Sequence, residues 1–175
     1  VQNRDAVVTG EKVAVGDVIV GVPSTGVHSN GYTLARKVAE ENGGYETVLP
    51  SGRTVGEALL TPTRIYSEVL DVCSKVEVHG MCHVTGGGLL NFLRISDLGF
   101  SIEDPLEVPE ILQWIAEKGQ LSENELYRTF NMGMGFAFIV APENAEKLIS
   151  LIPGAKAVGH VIEEHKVLLR GQEIN

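Results

Sequence analysis

Cysteine is scarce in this chain: Cys73 and Cys82 are the whole complement of 175 residues. At that spacing they make neither a CxxC pair nor a disulfide framework, and they fit two ordinary thiols of a reduced cytosolic protein. Aromatic residues amount to only 6%, with a single tryptophan, Trp114. No apolar run approaches the roughly 18 residues needed to cross a bilayer, and no signal-peptide pattern opens the sequence. Basic residues are in deficit as well. The 14 Lys and Arg against 23 Asp and Glu leave a net charge of −9, with the two signs interspersed. Such a surface favours solubility and repels a nucleic-acid backbone, so neither nucleic acid nor membrane is expected as a partner and a cytoplasmic location is. An initiating methionine is also lacking. The chain opens on Val1, and Val1–Val8 reads as the end of a strand or an interdomain connection, the start of a 1–15 segment leading into one domain. The expectation is a fragment of a longer protein.

Apolar residues make up 43% and glycine is frequent. A chain of this length can bury about 70% of its unfolded surface and needs no staples to fold. Val18–Val22 (VIVGV) is a β-branched run announced by Gly16-Asp17 and reads as a buried strand. A polar loop follows over 23–31, then a helix over Tyr32–Glu41 stopped by Gly43-Gly44. A second helix is expected from Thr61 as cap and Pro62 in its first turn, with Ile65, Val69, Val72 and Cys73 at helical spacing. Val76–Val84 alternates loosely as a strand, and Thr85–Gly88 leads into the apolar stretch Leu89–Leu93. Further strands are expected over 100–102 and 134–140, and a helix from Pro109 to Gly119. Ser122 and Glu125 form a capping box, and Pro142–Leu151 reads as a helix. Val158–Ile162 and Lys166–Leu169 close the chain as a hairpin or strand pair. No repeat or linker is visible. The pattern predicts an α/β domain of α+β-like character, with a mixed sheet and helices packed on it.

Four clusters invite chemical readings. The triple glycine Gly86-Gly87-Gly88, after Thr85, can turn backbone N–H groups towards an anion at a helix start, or can be a tight turn where two backbones approach. It is no Walker loop, since no Lys-Ser/Thr follows. In Val27-His28-Ser29-Asn30-Gly31, His28 titrates near neutrality and suits acid–base work or phosphate binding. Ser29 or Asn30 can equally serve as a helix cap. His79, Cys82 and His83 suggest metal, but no second His/Cys pair completes a tetrahedral set, so no metal site is expected here. In Tyr127–Gly133, Arg128 can grip a phosphate and Asn131 can orient an amide, or the stretch is a helix end turning into the next strand.

Taken together, Ser24–Tyr32, Leu59–Tyr66 (LLTPTRIY), His83–Gly88 (HxTGGG) and Leu126–Gly133 (LYRTFNMG, where the family reads MYRTFNMG) occur in this order in the aminoimidazole ribonucleotide synthetases, and the chain resembles the carboxyl-terminal half of that family. Thr25 stands where a second serine is usual, and Leu89–Arg94 lacks the family's glutamate and proline. The resemblance implies an ATP-dependent cyclo-ligase (phosphoribosylformylglycinamidine cyclo-ligase) of purine biosynthesis, a homodimer at full length, whose substrates are formylglycinamidine ribonucleotide and ATP. It also implies that an absent amino-terminal domain carries most ATP and Mg²⁺ ligands, so that the isolated fragment is inactive. His28 becomes the candidate catalytic residue. Ser24, Thr25, Ser29, Asn30, Thr85, Gly86, Gly87, Gly88, Arg128 and Asn131 become candidate substrate- or phosphate-binding residues. The alternatives are a sibling synthetase of the same superfamily or a non-catalytic regulatory module; joint retention of His28, Asn30, the triple glycine and Arg128 argues against the latter.

Overall fold

A computed structural model describes residues 7–175. The strand end or connection expected over Val1–Val8 therefore lies almost wholly outside the described residues, and 9–15 carry no helix or strand. Seven strands follow: β1 (Val18–Pro23), β2 (Gly80–His83), β3 (Gly99–Ile102), β4 (Met134–Val140), β5 (Lys156–Ile162), β6 (Val167–Leu169) and β7 (Gln172–Ile174). The helices are α1 (Tyr32–Glu41), α2 (Val55–Leu59), α3 (Glu68–Lys75), α4 (Glu110–Gly119), α5 (Glu123–Thr129) and α6 (Pro142–Leu151), with a 3₁₀ segment over Gly88–Arg94.

The strands form one sheet in the order β2-β4-β1-β5-β3-β6-β7. Every neighbouring pair is antiparallel except β3 and β6, so the sheet is mixed, as the sequence predicts. The centre of the sheet explains why β1 and β4 lack polar alternation. Ile19, Ala137 and Ile139 enter one apolar cluster, whereas Val20, Val22, Phe138 and Val140 enter another. Alternate residues of a strand point to opposite faces, and here both faces are covered, so every position must be apolar. Residues of α1, α2, α4 and α5 and of the 3₁₀ segment belong to the first cluster; α3 and α6 contribute Val72, Ala145 and Leu148 to the second. Full burial of a side chain such as Phe138 stabilises by about 1.5–3 kcal/mol, so these two layers hold the sheet.

Two expectations need correction. The helix predicted from Thr61 begins only at Glu68, and 61–66 carries no helix or strand. Pro62 does not start a helix; its carbonyl accepts a hydrogen bond from the Thr25 hydroxyl at 2.8 Å. Ile65, expected on the helix's apolar face, is 84% exposed. The closing strands are not a hairpin with each other either. β3 lies between β5 and β6, and the terminal hairpin is β6–β7, with β7 unforeseen. Helix α2 was also unforeseen although its signal was present: Thr54 and Glu57 form a complete capping box. At α5 the Ser122 side chain accepts the Glu125 N–H, the expected half of that motif.

Candidate active site

The loop between β1 and α1 is built around Asn131, which is only 3% exposed. Its carbonyl oxygen accepts from the Ser24 hydroxyl at 2.7 Å and the Gly133 N–H at 3.0 Å. Its amide donates to the carbonyls of Gly26 at 2.8 Å and Val27 at 3.5 Å. All four of its hydrogen-bonding positions are thus spent inside the protein, which makes Asn131 a clamp on the loop that carries His28. Ser24, tied to it, is half-buried.

His28 itself is 6% exposed and sits at φ 61°. A left-handed backbone at a non-glycine residue costs on the order of 1–3 kcal/mol and persists only where its surroundings hold it. The Thr25 N–H donates to His28 Nε2 at 3.1 Å. That nitrogen must therefore carry the lone pair, and the neutral ring keeps its proton on Nδ1. Nδ1 is buried and has no hydrogen-bond partner among the described residues. Burial first, and the nearby His83 second, hold the His28 pKa below the usual imidazole value. The ring is neutral at pH 7.

Neither Ser29 nor Asn30 caps α1. The cap position is Gly31, with φ 74° and no side-chain bond, packed so closely on Phe130 that a β-carbon would overlap the ring. Both side chains are released for other contacts: the Ser29 hydroxyl lies 3.3 Å from that of Thr63. The Asn30 carboxamide oxygen lies 3.1 Å from where a β-carbon on Gly86 would stand, which brings the first loop against the triple glycine.

The glycine loop combines the two readings open for it. Gly88, at φ 53°, lies against α5, where a β-carbon would overlap the Tyr127 carbonyl oxygen, so its glycine is a close-approach residue. On Gly87, at φ 104°, a β-carbon would meet only the Asn91 carboxamide, at an ordinary 3.5 Å. The Gly88 N–H closes a turn on the Thr85 carbonyl at 2.9 Å, while the N–H groups of Gly86 and Gly87 have no acceptor among the described residues. Asn91, buried behind the loop, donates to the Gly88 carbonyl at 2.8 Å. No local signal marked Asn91; it reads as one polar residue in an apolar stretch. The Arg128 backbone lies beside Gly88, where a β-carbon would stand 3.0 Å from its carbonyl carbon, but its side chain is exposed on α5 and lines a hollow with Asn124, Glu125 and Asn175.

Tyr66 and His83, neither assigned to the site from sequence, stand beside His28, with Arg64 over Tyr66. Tyr66 meets the His28 ring edge-on at a centroid distance of 6.2 Å and meets His83 at 5.8 Å. Arg64 lies 5.4 Å over Tyr66 and pairs with Glu68 at 2.6 Å. The motif containing Arg64 and Tyr66 was visible, but an expected helix concealed which way they point. The metal reading of the His79–His83 stretch finds no support in the geometry. His79 pairs with buried Asp17 at 2.7 Å, Cys82 is buried, and no group of three or more metal-ligating side chains occurs among the described residues. No helix of the described residues is long and apolar enough to cross a membrane.

Comparison with known proteins follows the same lines. A family model described as AIR synthase related protein, C-terminal domain, matches residues 14–171. Phosphoribosylformylglycinamidine cyclo-ligases of Methanosarcina barkeri and Methanosarcina mazei are 53% and 52% identical over 163 residues, covering 91% of this chain and 49% of each relative. The chain thus spans about half the length of the curated relatives it matches. Among solved structures, hydrogenase maturation protein HypE in complex with ATP superposes with a TM-score of 0.66 at 17% identity, over 99% of this chain and 54% of that one, which shows a shared fold.

Proposed function

This chain belongs to the AIR synthase related protein, C-terminal domain, family, and from that premise we propose that it is the carboxyl-terminal half of a phosphoribosylformylglycinamidine cyclo-ligase. In that reaction the γ-phosphoryl group of ATP passes to the formamide oxygen of formylglycinamidine ribonucleotide. An amidine nitrogen then attacks the formyl carbon, the carbon–oxygen bond breaks, and phosphate leaves as the imidazole ring closes. The chemistry asks for anchored phosphate, charge stabilisation and a proton carrier.

The observation that carries the proposal is His28, buried, held in a strained backbone conformation and left with an Nδ1 that has no partner among the described residues. Strain and an orphaned polar atom are costs that a purely structural loop has no reason to keep. Ring closure expels phosphate, and the Nδ1–H that this tautomer leaves unpartnered among the described residues is a donor able to hydrogen-bond or protonate the oxygen on which charge develops. The unpaired N–H groups of Gly86 and Gly87 suit a phosphate oxygen, with Asn30 beside them. We assign Ser29, Thr25 and Thr85 to substrate or phosphate binding as well, and Arg128 where substrate extends over α5. As the resemblance implies, we assign most ATP and Mg²⁺ ligands and the homodimer contact to the other half of the full-length enzyme. A cytoplasmic location and independence of nucleic acid fit the net charge of −9.

Steady-state kinetics of His28→Ala in the full-length enzyme, beside a thermal melt, test this reading. Turnover should fall about a hundredfold or more with the melt nearly unchanged, the size usual for a lost general acid or base. Kinetic constants near those of the parent would remove His28 from the site.

A further inference from the structure

Tyr66 lies in the irregular stretch before α3, whose neighbours Leu60 and Ile65 point into solvent, yet its own side chain turns inward. Its hydroxyl donates to the Pro23 carbonyl at 3.2 Å, and Arg64 reaches the same oxygen at 3.4 Å. The ring packs on Phe136 at a centroid distance of 5.4 Å, with His28 and His83 at its edges. This arrangement exists because position 135 is glycine. A β-carbon there would overlap the Tyr66 hydroxyl and stand 2.8 Å from His28 Cε1, so both groups occupy the space that β4 leaves empty at that residue. Burial pushes the Tyr66 phenol up to about 12, so it stays a neutral donor throughout the working pH range.

We propose that Tyr66 is the positioning residue of the His28 site: its phenol, seated in the gap left by Gly135, fixes the imidazole against β4 and keeps water from it. This rests on the reading of His28 as an active-site histidine. The hydrogen-bond contacts of the His28 ring both come from Thr25 and meet at Nε2, the N–H at 3.1 Å and the hydroxyl at 3.2 Å, so they tether one end of the ring and leave its Nδ1 side untied. The phenol supplies the second restraint by contact. The charged and titratable groups facing this cluster are His83 on β2, and Arg64 and Glu68 around the start of α3. Arg64 and Glu68 pair with each other, so His83 is the group whose charge opposes protonation of His28.

The test is an NMR pH titration of the His28 Cε1–H resonance in this chain, for the parent, Tyr66→Ala, Tyr66→Leu, Tyr66→Phe and His83→Gln. Losing the aromatic ring admits water and relieves the larger cause of the depression. The His28 midpoint should therefore rise towards the ordinary 6.5 in the Ala and Leu variants. His83→Gln should move it the same way by less, and Tyr66→Phe, which keeps the ring, should hold the parent midpoint. A parent-like midpoint in the Leu or Ala variant, or a Phe variant that titrates like Ala, overturns the proposal; the Leu variant decides if Ala does not fold. Turnover separates this from the functional reading. If Tyr66→Ala moves the midpoint while His28→Ala spares activity in the full-length enzyme, the positioning stands and the catalytic role of His28 falls. The reverse pattern removes Tyr66 alone.

Discussion

Replacing Asn131 by alanine should unfasten the loop that presents His28. The side chain satisfies the Gly26 carbonyl at 2.8 Å and the Gly133 N–H at 3.0 Å, both in buried surroundings, and the Ser24 hydroxyl at 2.7 Å. Alanine leaves the first two groups without a partner, and each unsatisfied buried group costs about 1–3 kcal/mol. Ser24 is half-buried and can turn to water, so its loss adds little. Water entering the vacated space recovers part of the cost, which brings the expected destabilisation to about 2–4 kcal/mol. For a domain of this size that corresponds to a melting temperature lower by roughly 5–15 °C. Thermal and urea denaturation of the parent and variant chains measure it directly. A melt within about 2 °C of the parent would refute the clamp, since that is less than one unsatisfied group should cost. If the full-length variant instead kept its stability and lost substrate affinity, Asn131 would be a substrate ligand after all.

Three further outcomes follow from the geometry. Gly88→Ala should lower the melting temperature sharply, because its β-carbon overlaps the Tyr127 carbonyl, whereas Gly87→Val should cost only the strain of its positive φ and act mainly on phosphate or substrate affinity in the full-length enzyme; equal melts for the two would dissolve the distinction. Burial pushes the Cys82 thiol up to about 12, so alkylation of the native chain at mildly alkaline pH should label half-buried Cys73 first, and equal labelling rates would contradict the packing around β2. His28 has a folded-state pKa depressed below 6.5, so the unfolded chain binds more protons in that window. Its contribution to stability is then complete above 6.5 and is lost as pH falls from 6.5 towards the folded value. Urea midpoints of the parent against His28→Gln should diverge in that window, and parallel curves would show that the ring is not desolvated.

The elements that the sequence by itself determined are those whose signal is local and whose burial is complete. Helices α1 and α6 and strand β4 lie on their predicted residues because each carries its own stop signals or an unbroken apolar run. The ordered motifs likewise placed the chain in its family without any contact information. Tertiary structure decided the rest, because the deciding contacts join residues far apart in sequence. Thr61-Pro62 looks like a helix start, yet hydrogen bonds from the Thr25 hydroxyl to the Pro62 carbonyl and from the Tyr66 hydroxyl to the Pro23 carbonyl tie 61–66 to the first loop, and the helix begins only at Glu68. Asn131 reads as a possible ligand until its bond to Ser24, 107 residues away, shows its hydrogen-bonding capacity already used. Gly135 is one more apolar position in a strand until Tyr66 and His28 are seen to fill its missing β-carbon. Periodicity reports which face of an element is buried, but only the folded chain shows what that face touches.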